Sequence, residues 1–223
     1  MEYYSNFIWE KDNSGCCRVS LVLQHVIVRK KSVALACVCE SENAGEAGVT
    51  ESGYFTEGLV EWFHKHFLKK CEGKMSEAEV EKLLQTEVRR LLKEEEGFLK
   101  KRKLQGQLHY WGILLWESQF WLFCRGTCEG YLINKRFGKK NIRRLGGELQ
   151  QEQWFSGRLQ RNLGLLLCTA GFMETLEKEE AAEVLNFDGE ASDDRLEKRL
   201  RELWRENSSR GGKRIAGAIY LHT

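Results

Sequence analysis

The sequence has no proline, no long apolar run and no large excess of one charge. No apolar stretch approaches the roughly 18 residues of a membrane-spanning helix, and Met1–Glu10 has no charged-then-apolar leader of the kind that directs secretion. We therefore expect a cytoplasmic protein without a membrane partner. The 35 basic and 33 acidic residues nearly cancel, which argues against a nucleic-acid partner bound through bulk charge.

Length and cysteine usage indicate one domain held together by a core. The chain has 223 residues, enough for one sizeable core, so we expect a single domain over residues 1–223. Eight cysteines are present. Apolar strand residues surround Cys37, Cys39, Cys124 and Cys168, and a chain of this size needs no covalent staples. We expect buried free thiols rather than disulfides or a zinc site.

Hydrophobic periodicity predicts an α+β domain. The predicted strands are Arg18–Val28, Ser32–Cys39, Gln107–Leu115, Phe120–Arg125, Glu129–Asn134, Leu163–Cys168 and Arg214–Leu221. The predicted helices are Gly53–Lys70, Ser76–Lys103, Glu177–Asn186 and Asp193–Asn207. Ser76 and Glu79 fit a capping box. Glu40–Ser52 is predicted to be a loop, and Lys135–Gly157 a basic surface excursion. Grouped strands and segregated helix pairs indicate helices covering the outer faces of two packed sheets.

One motif carries a resemblance to a known family. Leu165–Phe172 reads Leu-Leu-Leu-Cys-Thr-Ala-Gly-Phe. This run resembles the strand, turn and helix of the metal-dependent protein phosphatases of the 2C type, in which L-L-L-C-S-D-G-L/F delivers a metal-binding aspartate. Ala170 stands at the position of that aspartate. The resemblance implies a four-layer α-β-β-α sandwich of two antiparallel sheets flanked by helix pairs.

The other signature motifs are also altered at their acids. The stretch before the first core strand places Val19 at an acidic position, and the V-x-D-G end of the second strand is replaced by Glu40 and Ser41. The G-D-S-R-x-Y motif resembles Gly126–Tyr131, with Thr127 at the aspartate. The final D-N-I-T motif becomes a sequence that starts at Lys213. The resemblance thus implies that Glu40 is the one signature position that still has an acidic residue.

Loss of these acids predicts loss of the family's chemistry. That chemistry uses two divalent cations roughly 4 Å apart, which repel by about 17 kcal/mol at an effective dielectric of 20, and carboxylates must offset the repulsion. We therefore expect no bound metal and no other cofactor. A salt bridge between Glu40 and Lys213 in the vacated space is our hypothesis, and the alternative is that both point into solvent.

Three functions remain open from the sequence. The first is a catalytically inactive pseudophosphatase that acts as a regulatory or protein-binding module, with a protein partner such as a phosphoprotein or a kinase system. The second is a weakly active phosphatase with Mg²⁺ or Mn²⁺ near Glu40, Glu42 and Glu46, and the third is a structural subunit of an oligomer. A basic stretch could bind an acidic or phosphorylated partner, although a solvated loop is the simpler interpretation. Its residues are Lys135, Arg136, Lys139, Lys140, Arg143 and Arg144.

Overall fold

The structure is a computed structural model that describes residues 4–10, 18–43, 45–73, 75–136, 139–145, 149–159, 163–173, 193–209 and 216–222. Its strands are β1 (Tyr4–Glu10), β2 (Val19–Val28), β3 (Lys31–Ser41), β4 (Leu108–Trp116), β5 (Gln119–Gly126), β6 (Glu129–Arg136), β7 (Lys139–Leu145), β8 (Leu149–Arg158), β9 (Gly164–Cys168) and β10 (Ala216–His222). The helices are α1 (Gly45–Trp62), α2 (Leu68–Cys71), α3 (Glu77–Arg102), α4 (Ala170–Met173) and α5 (Asp193–Ser209), and a π-helical turn (Phe63–Phe67) joins α1 to α2. Within these ranges, no helix combines the length and apolar composition needed to cross a membrane.

The described strands form two five-stranded antiparallel sheets. The first sheet has the order β2-β3-β4-β5-β8, and the second has the order β1-β10-β9-β6-β7. Helices α1 and α3 pack on the outer face of the first sheet, and α4 and α5 pack on the outer face of the second. The predicted α+β fold, a four-layer α-β-β-α sandwich, is therefore confirmed.

Strand β3 is buried on both faces, which explains its uninterrupted apolar sequence. Val33 and Leu35 contact the core beneath α1 and α3, whereas Ala34 and Ala36 belong to the core between the two sheets. Successive strand residues point to opposite faces, so a strand between two apolar layers needs apolar residues at every position. The small alanine side chains face the second sheet across that core.

The outer layer of the second sheet is built around aromatic contacts. Phe172 of α4 stacks on Trp204 of α5, with ring centroids 6.3 Å apart. Leu200 and Leu203 of α5 are fully buried and belong to the same cluster as Tyr220 of β10. The predicted helix Asp193–Asn207 thus covers this face as expected from its apolar stripe.

The predicted loop Glu40–Ser52 is wrong over most of its length. Strand β3 continues to Ser41, and α1 begins at Gly45. Gly45 has a φ of +65°, a left-handed backbone conformation that glycine adopts without steric cost. Glu51 and Ser52 are each 1% exposed. The polar composition was misleading because these polar residues lie on the buried face of α1.

The predicted surface excursion Lys135–Gly157 is also wrong, because it contains β7 and β8. Both are the last strands of their sheets, where one edge has no described neighbour and polar composition is tolerated. The predicted strands Gln107–Leu115 and Phe120–Arg125 correspond to β4 and β5, which pair with each other in the first sheet. Strand β6 crosses to the second sheet and pairs with β7 and β9.

Three further comparisons complete the fold. Strand β1 was not predicted, and it pairs with β10 at the edge of the second sheet. The predicted helix Glu177–Asn186 lies outside the described residues. The six cysteines within the described ranges are free and buried, as expected. They are Cys37, Cys39, Cys71, Cys124, Cys128 and Cys168.

Candidate functional site

A polar cleft opens at one end of the sandwich, where strands from both sheets begin or end. Its volume is about 380 Å³. The alternating direction of antiparallel strands brings the end of β3 beside the start of β4, and the end of β9 beside the start of β6. The residues that line it are Arg18, Glu40, Ser41, Glu42, His109, Thr127, Glu129, Arg144 and Ala170.

The altered signature positions come together at this cleft. Glu40, Ser41, Thr127 and Ala170 all line it, although they are up to 130 residues apart in the chain. Val19 is buried and lies opposite Glu40 in the register of β2 and β3. Four of these positions thus line one cleft, and Val19 lies beside it.

Glu40 forms an ion pair that the sequence did not indicate. Its Oε1 lies 3.0 Å from Nη2 of Arg18, and Glu40 is 8% exposed. Nε of Arg18 is buried and has no hydrogen-bond partner within the described structure. Lys213, the predicted partner of Glu40, lies outside the described residues, so that pairing stays a prediction. Arg18 already supplies a fixed positive charge at Glu40.

His109 joins two walls of the cleft in a defined tautomer. The backbone N–H of Thr127 donates to its Nδ1 at 3.2 Å, so Nε2 carries the proton and donates to Oε1 of Glu42 at 3.0 Å. Gly126 has φ +79°, and a Cβ there would lie 1.9 Å from Nδ1. The glycine therefore permits both the turn and the close approach of His109. Sequence reasoning missed this histidine because no motif marks it.

The wall from the second sheet contains a further charged group. Glu129 accepts from Tyr131 Oη and forms an ion pair with Arg144. Arg144 lies in β7 and lines the cleft. The interpretation of its segment as a solvated loop is therefore wrong for this residue. Burial, reinforced by nearby Cys168 and Glu129, raises the pKa of Tyr131. The tyrosine is therefore held as a neutral hydrogen-bond donor.

Beneath the cleft, a buried carboxylate fixes the connection from β3 to α1. Glu51 accepts from Ser41 Oγ at 2.6 Å and from Asn43 Nδ2 at 2.9 Å. The backbone N–H of Asn43 donates to Ser41 Oγ at 3.0 Å. Gly48 lies so close to Asn43 that a Cβ would approach its carbonyl oxygen to 2.0 Å. This network holds the residues that follow Glu40 in place.

The residues present do not fit the two-cation site that the resemblance implies. Ala170 has no donor atom, Thr127 offers only a neutral hydroxyl, and Glu40 is occupied by Arg18. Across the ranges that the structure describes, no group of three or more His, Cys, Asp or Glu side chains could hold a metal ion.

The architecture and the position of the cleft define a protein phosphatase 2C-like fold. The chain is similar to the serine/threonine phosphatase Stp1 from Staphylococcus aureus, with a TM-score of 0.77 and 14% identity over 99% of this chain and 94% of that one. It is also similar to the serine/threonine phosphatase of S. agalactiae, with a TM-score of 0.76 and 10% identity over 100% of both chains.

A third similar structure is the catalytic domain of the serine/threonine phosphatase PstP in complex with two manganese ions. Its TM-score is 0.72, with 15% identity over 99% of this chain and 97% of that one. No protein-family model and no curated protein sequence matches the chain. At these identities the likeness shows the fold and leaves the activity to be argued from the cleft.

Proposed function

We propose that this chain is a catalytically inactive pseudophosphatase that acts as a regulatory or protein-binding module. One observation carries the proposal: Glu40, the acid retained in kind, contacts Arg18 at 3.0 Å. A divalent cation at Glu40 would lie beside a guanidinium that remains charged at all ordinary pH values. Binding would require that this ion pair break inside a half-enclosed cleft.

The remaining acids of the cleft support the same proposal. Glu42 accepts from His109, and Glu129 forms an ion pair with Arg144. Each carboxylate that lines the cleft therefore contacts a cation or a histidine of the chain itself. Arginines pair with two of the three carboxylates, and the third accepts from a histidine, whereas two divalent cations would need several uncompensated carboxylates.

The alternative is a weakly active phosphatase that uses one metal near Glu40, Glu42 and Glu46. Glu46 lies in the first turn of α1, is exposed and does not line the cleft. Glu40 and Glu42 would have to leave Arg18 and His109 to share a cation. No observation favours this alternative, but the experiment below separates it from the proposal.

The proposed partner is a protein, with a phosphoprotein or a component of a kinase system as the candidates that the fold suggests. We propose neither a nucleic acid nor a membrane as partner, because the overall charge is only +2. The cytoplasmic location remains a prediction. The third function, a structural subunit, would appear as a defined oligomer in solution mass measurements.

The test is calorimetric titration of Mn²⁺ into the protein, together with a phosphatase assay in excess metal. Stp1 from Staphylococcus aureus serves as the comparison protein in the same assays. We expect neither binding heat nor turnover for this chain. Tight binding with turnover that Glu40→Ala abolishes would instead establish the alternative. Glu72→Ala, at an exposed acid of the α2 to α3 connection, is the matched control.

A further inference from the structure

Strand β2 lies at an edge of the first sheet without the features that usually protect an edge strand. The order β2-β3-β4-β5-β8 leaves its outer edge without a described neighbouring strand. Natural edge strands are blunted by charged residues, proline, bulges or short length. Val19–Val28 has ten residues with no lysine, arginine, aspartate, glutamate or proline, and its pairing with β3 has no register shift. The strand is therefore suited to pair with a further strand.

Strand β8, at the opposite edge of the same sheet, has the features that β2 lacks. Glu152 and Arg158 lie in β8, and its pairing with β5 shifts register between Cys124 and Gly126. On β2, by contrast, the aliphatic side chain of Ile27 is 73% exposed. Of the two edges of this sheet, β2 is therefore the one that favours pairing.

Helix α1 and the π-helical turn after it run alongside β2 and form a groove with it. The hydroxyl groups of Ser20 and Thr56 are hydrogen-bonded at 2.6 Å, and farther along, Gln24 Oε1 lies 3.0 Å from Nε2 of His64. Strand and helix therefore run in the same direction. The groove has a volume of about 650 Å³, and Glu57 lines it beside Ser20 and Val22.

The charges beside β2 have opposite signs at its two ends. Glu57 is exposed beside the start of the strand, and Arg29 and Lys30 form the exposed turn after its end. None of these three residues has an ion pair within the described part of the chain. From Val22 to Arg29 the strand spans roughly 23 Å. Glu57 therefore cannot reach the two cations of its own chain.

The turn between β2 and β3 keeps its two cations at a steric cost. Arg29 and Lys30 have φ values of +49° and +67°. Two-residue hairpin turns with positive φ at both positions favour Asn and Gly, which adopt this conformation more easily. The backbone alone thus gives no reason for Arg and Lys at these positions, whereas a contact made by their charges does.

A second copy of the chain, paired antiparallel along β2, brings the opposite charges together. In that arrangement the turn of one copy lies beside the start of β2 in the other, so Arg29 approaches Glu57 of the second copy. A two-fold axis repeats every contact, so this ion pair forms twice. The uncharged strand between the two contacts places no like charges opposite each other.

We propose that this chain forms a two-fold symmetric dimer, in which the β2 strands of two copies pair antiparallel and join their first sheets into one continuous sheet. An extended segment of another protein would also add to such an edge, but opposite charges at the two ends of β2 match a second copy of the same surface. The groove and the cleft share no lining residue. The inference therefore goes beyond the proposed function and does not depend on it.

The experiment measures the mass of the full chain by sedimentation equilibrium in EDTA, from low micromolar to about 200 µM. We expect the mass to rise from 26.0 kDa toward twice that value. Glu57→Lys and Arg29→Glu should each weaken dimerisation at least about tenfold, because each places like charges at both contacts. The control is Glu96→Lys, at an exposed residue of α3 outside the groove, which should stay within about twofold of the parent.

A mixture of the two charge variants separates the proposed contact from a structural effect of either substitution. A heterodimer of Glu57→Lys with Arg29→Glu has oppositely charged side chains at both contacts. We therefore expect the equimolar mixture to dimerise more tightly than either variant alone. A distortion caused by one substitution would not be repaired by the other.

A variant of the strand itself tests the edge pairing. Lysine on an edge strand opposes pairing, so Ile27→Lys should weaken the dimer at least about tenfold, whereas the uncharged, β-branched control Ile27→Thr should weaken it much less. Circular dichroism establishes that the variants are folded. A parent that stays monomeric at the highest concentration would overturn the proposal. So would a dimer that neither charge variant weakens, or a mixture that dimerises no more tightly than its components.

Discussion

At the residue scale, Glu95 is a carboxyl group whose environment strongly changes its pKa. It lies on α3, is 4% exposed, and its Oε1 has no hydrogen-bond partner in the described structure. Burial raises its pKa from 4.5 to about 7, the nearby carboxylate of Glu51 adds to the rise, and Arg125 opposes it. The exposed Glu96 contributes a smaller effect in the same direction as Glu51.

This environment predicts a pH dependence of stability. The folded chain keeps the Glu95 proton to a higher pH than the unfolded chain, so the free energy of unfolding falls as pH rises from about 4.5 to 7. Glu95→Gln removes that fall and stabilises the protein at pH 8, by at most about 3 kcal/mol. Urea unfolding of both proteins at pH values from 5 to 8 measures the free energy of unfolding and its dependence on pH. Glu96→Gln, at the exposed neighbour with the smaller effect on Glu95, should change the slope much less, and a parent slope of zero would contradict the prediction.

At the element scale, the local sequence determines where helix α3 begins. Ser76 Oγ accepts from the backbone N–H of Glu79 at 3.3 Å, and Glu79 Oε2 accepts from the backbone N–H of Ser76 at 2.8 Å. This is the predicted capping box. Two hydrogen bonds to Glu79 lower its pKa: the larger effect comes from the backbone N–H of Ser76 and the smaller from the Ser76 hydroxyl.

Loss of this cap should weaken the whole domain. Ser76→Ala removes the acceptor for the backbone N–H of Glu79, and we expect a loss of about 1 kcal/mol. For a chain of this length, that corresponds to a drop in Tm of roughly 3 °C. Thermal melting followed by circular dichroism measures the change. Ser76→Asp, which keeps an acceptor at the cap, should melt close to the parent. Identical melting of Ser76→Ala and the parent would count against a structural role of the cap.

At the scale of the whole molecule, the cleft exists only because the two sheets are packed. Glu40 lies in the first sheet and Arg18 immediately precedes strand β2 of that sheet, whereas Glu129 and Arg144 come from the second sheet. Thr127 lies where the chain crosses from one sheet to the other. Any metal site at this position would therefore need acids from both sheets at once.

Adding acids to the cleft should permit metal binding only in part. We expect Thr127→Asp combined with Ala170→Asp to bind Mn²⁺ more tightly than the parent in calorimetry, since two carboxylates are added to the cleft. Adding Arg18→Gln should tighten binding at least tenfold further. A guanidinium roughly 5 Å from a divalent cation costs about 7 kcal/mol at an effective dielectric of 20. Equal affinity with and without Arg18 would show that its ion pair with Glu40 does not oppose metal.

The sequence alone predicted the layered α+β fold and the capping box, and both are present in the structure. Those features depend on local periodicity, local hydrogen bonds or motif positions, which are visible within a few residues. It did not determine β7 and β8, because edge strands tolerate the polar composition of loops. The pairing of Glu40 with Arg18 was also decided by tertiary structure. A side chain's partner depends on strand register and sheet packing, which join residues that the linear sequence does not relate.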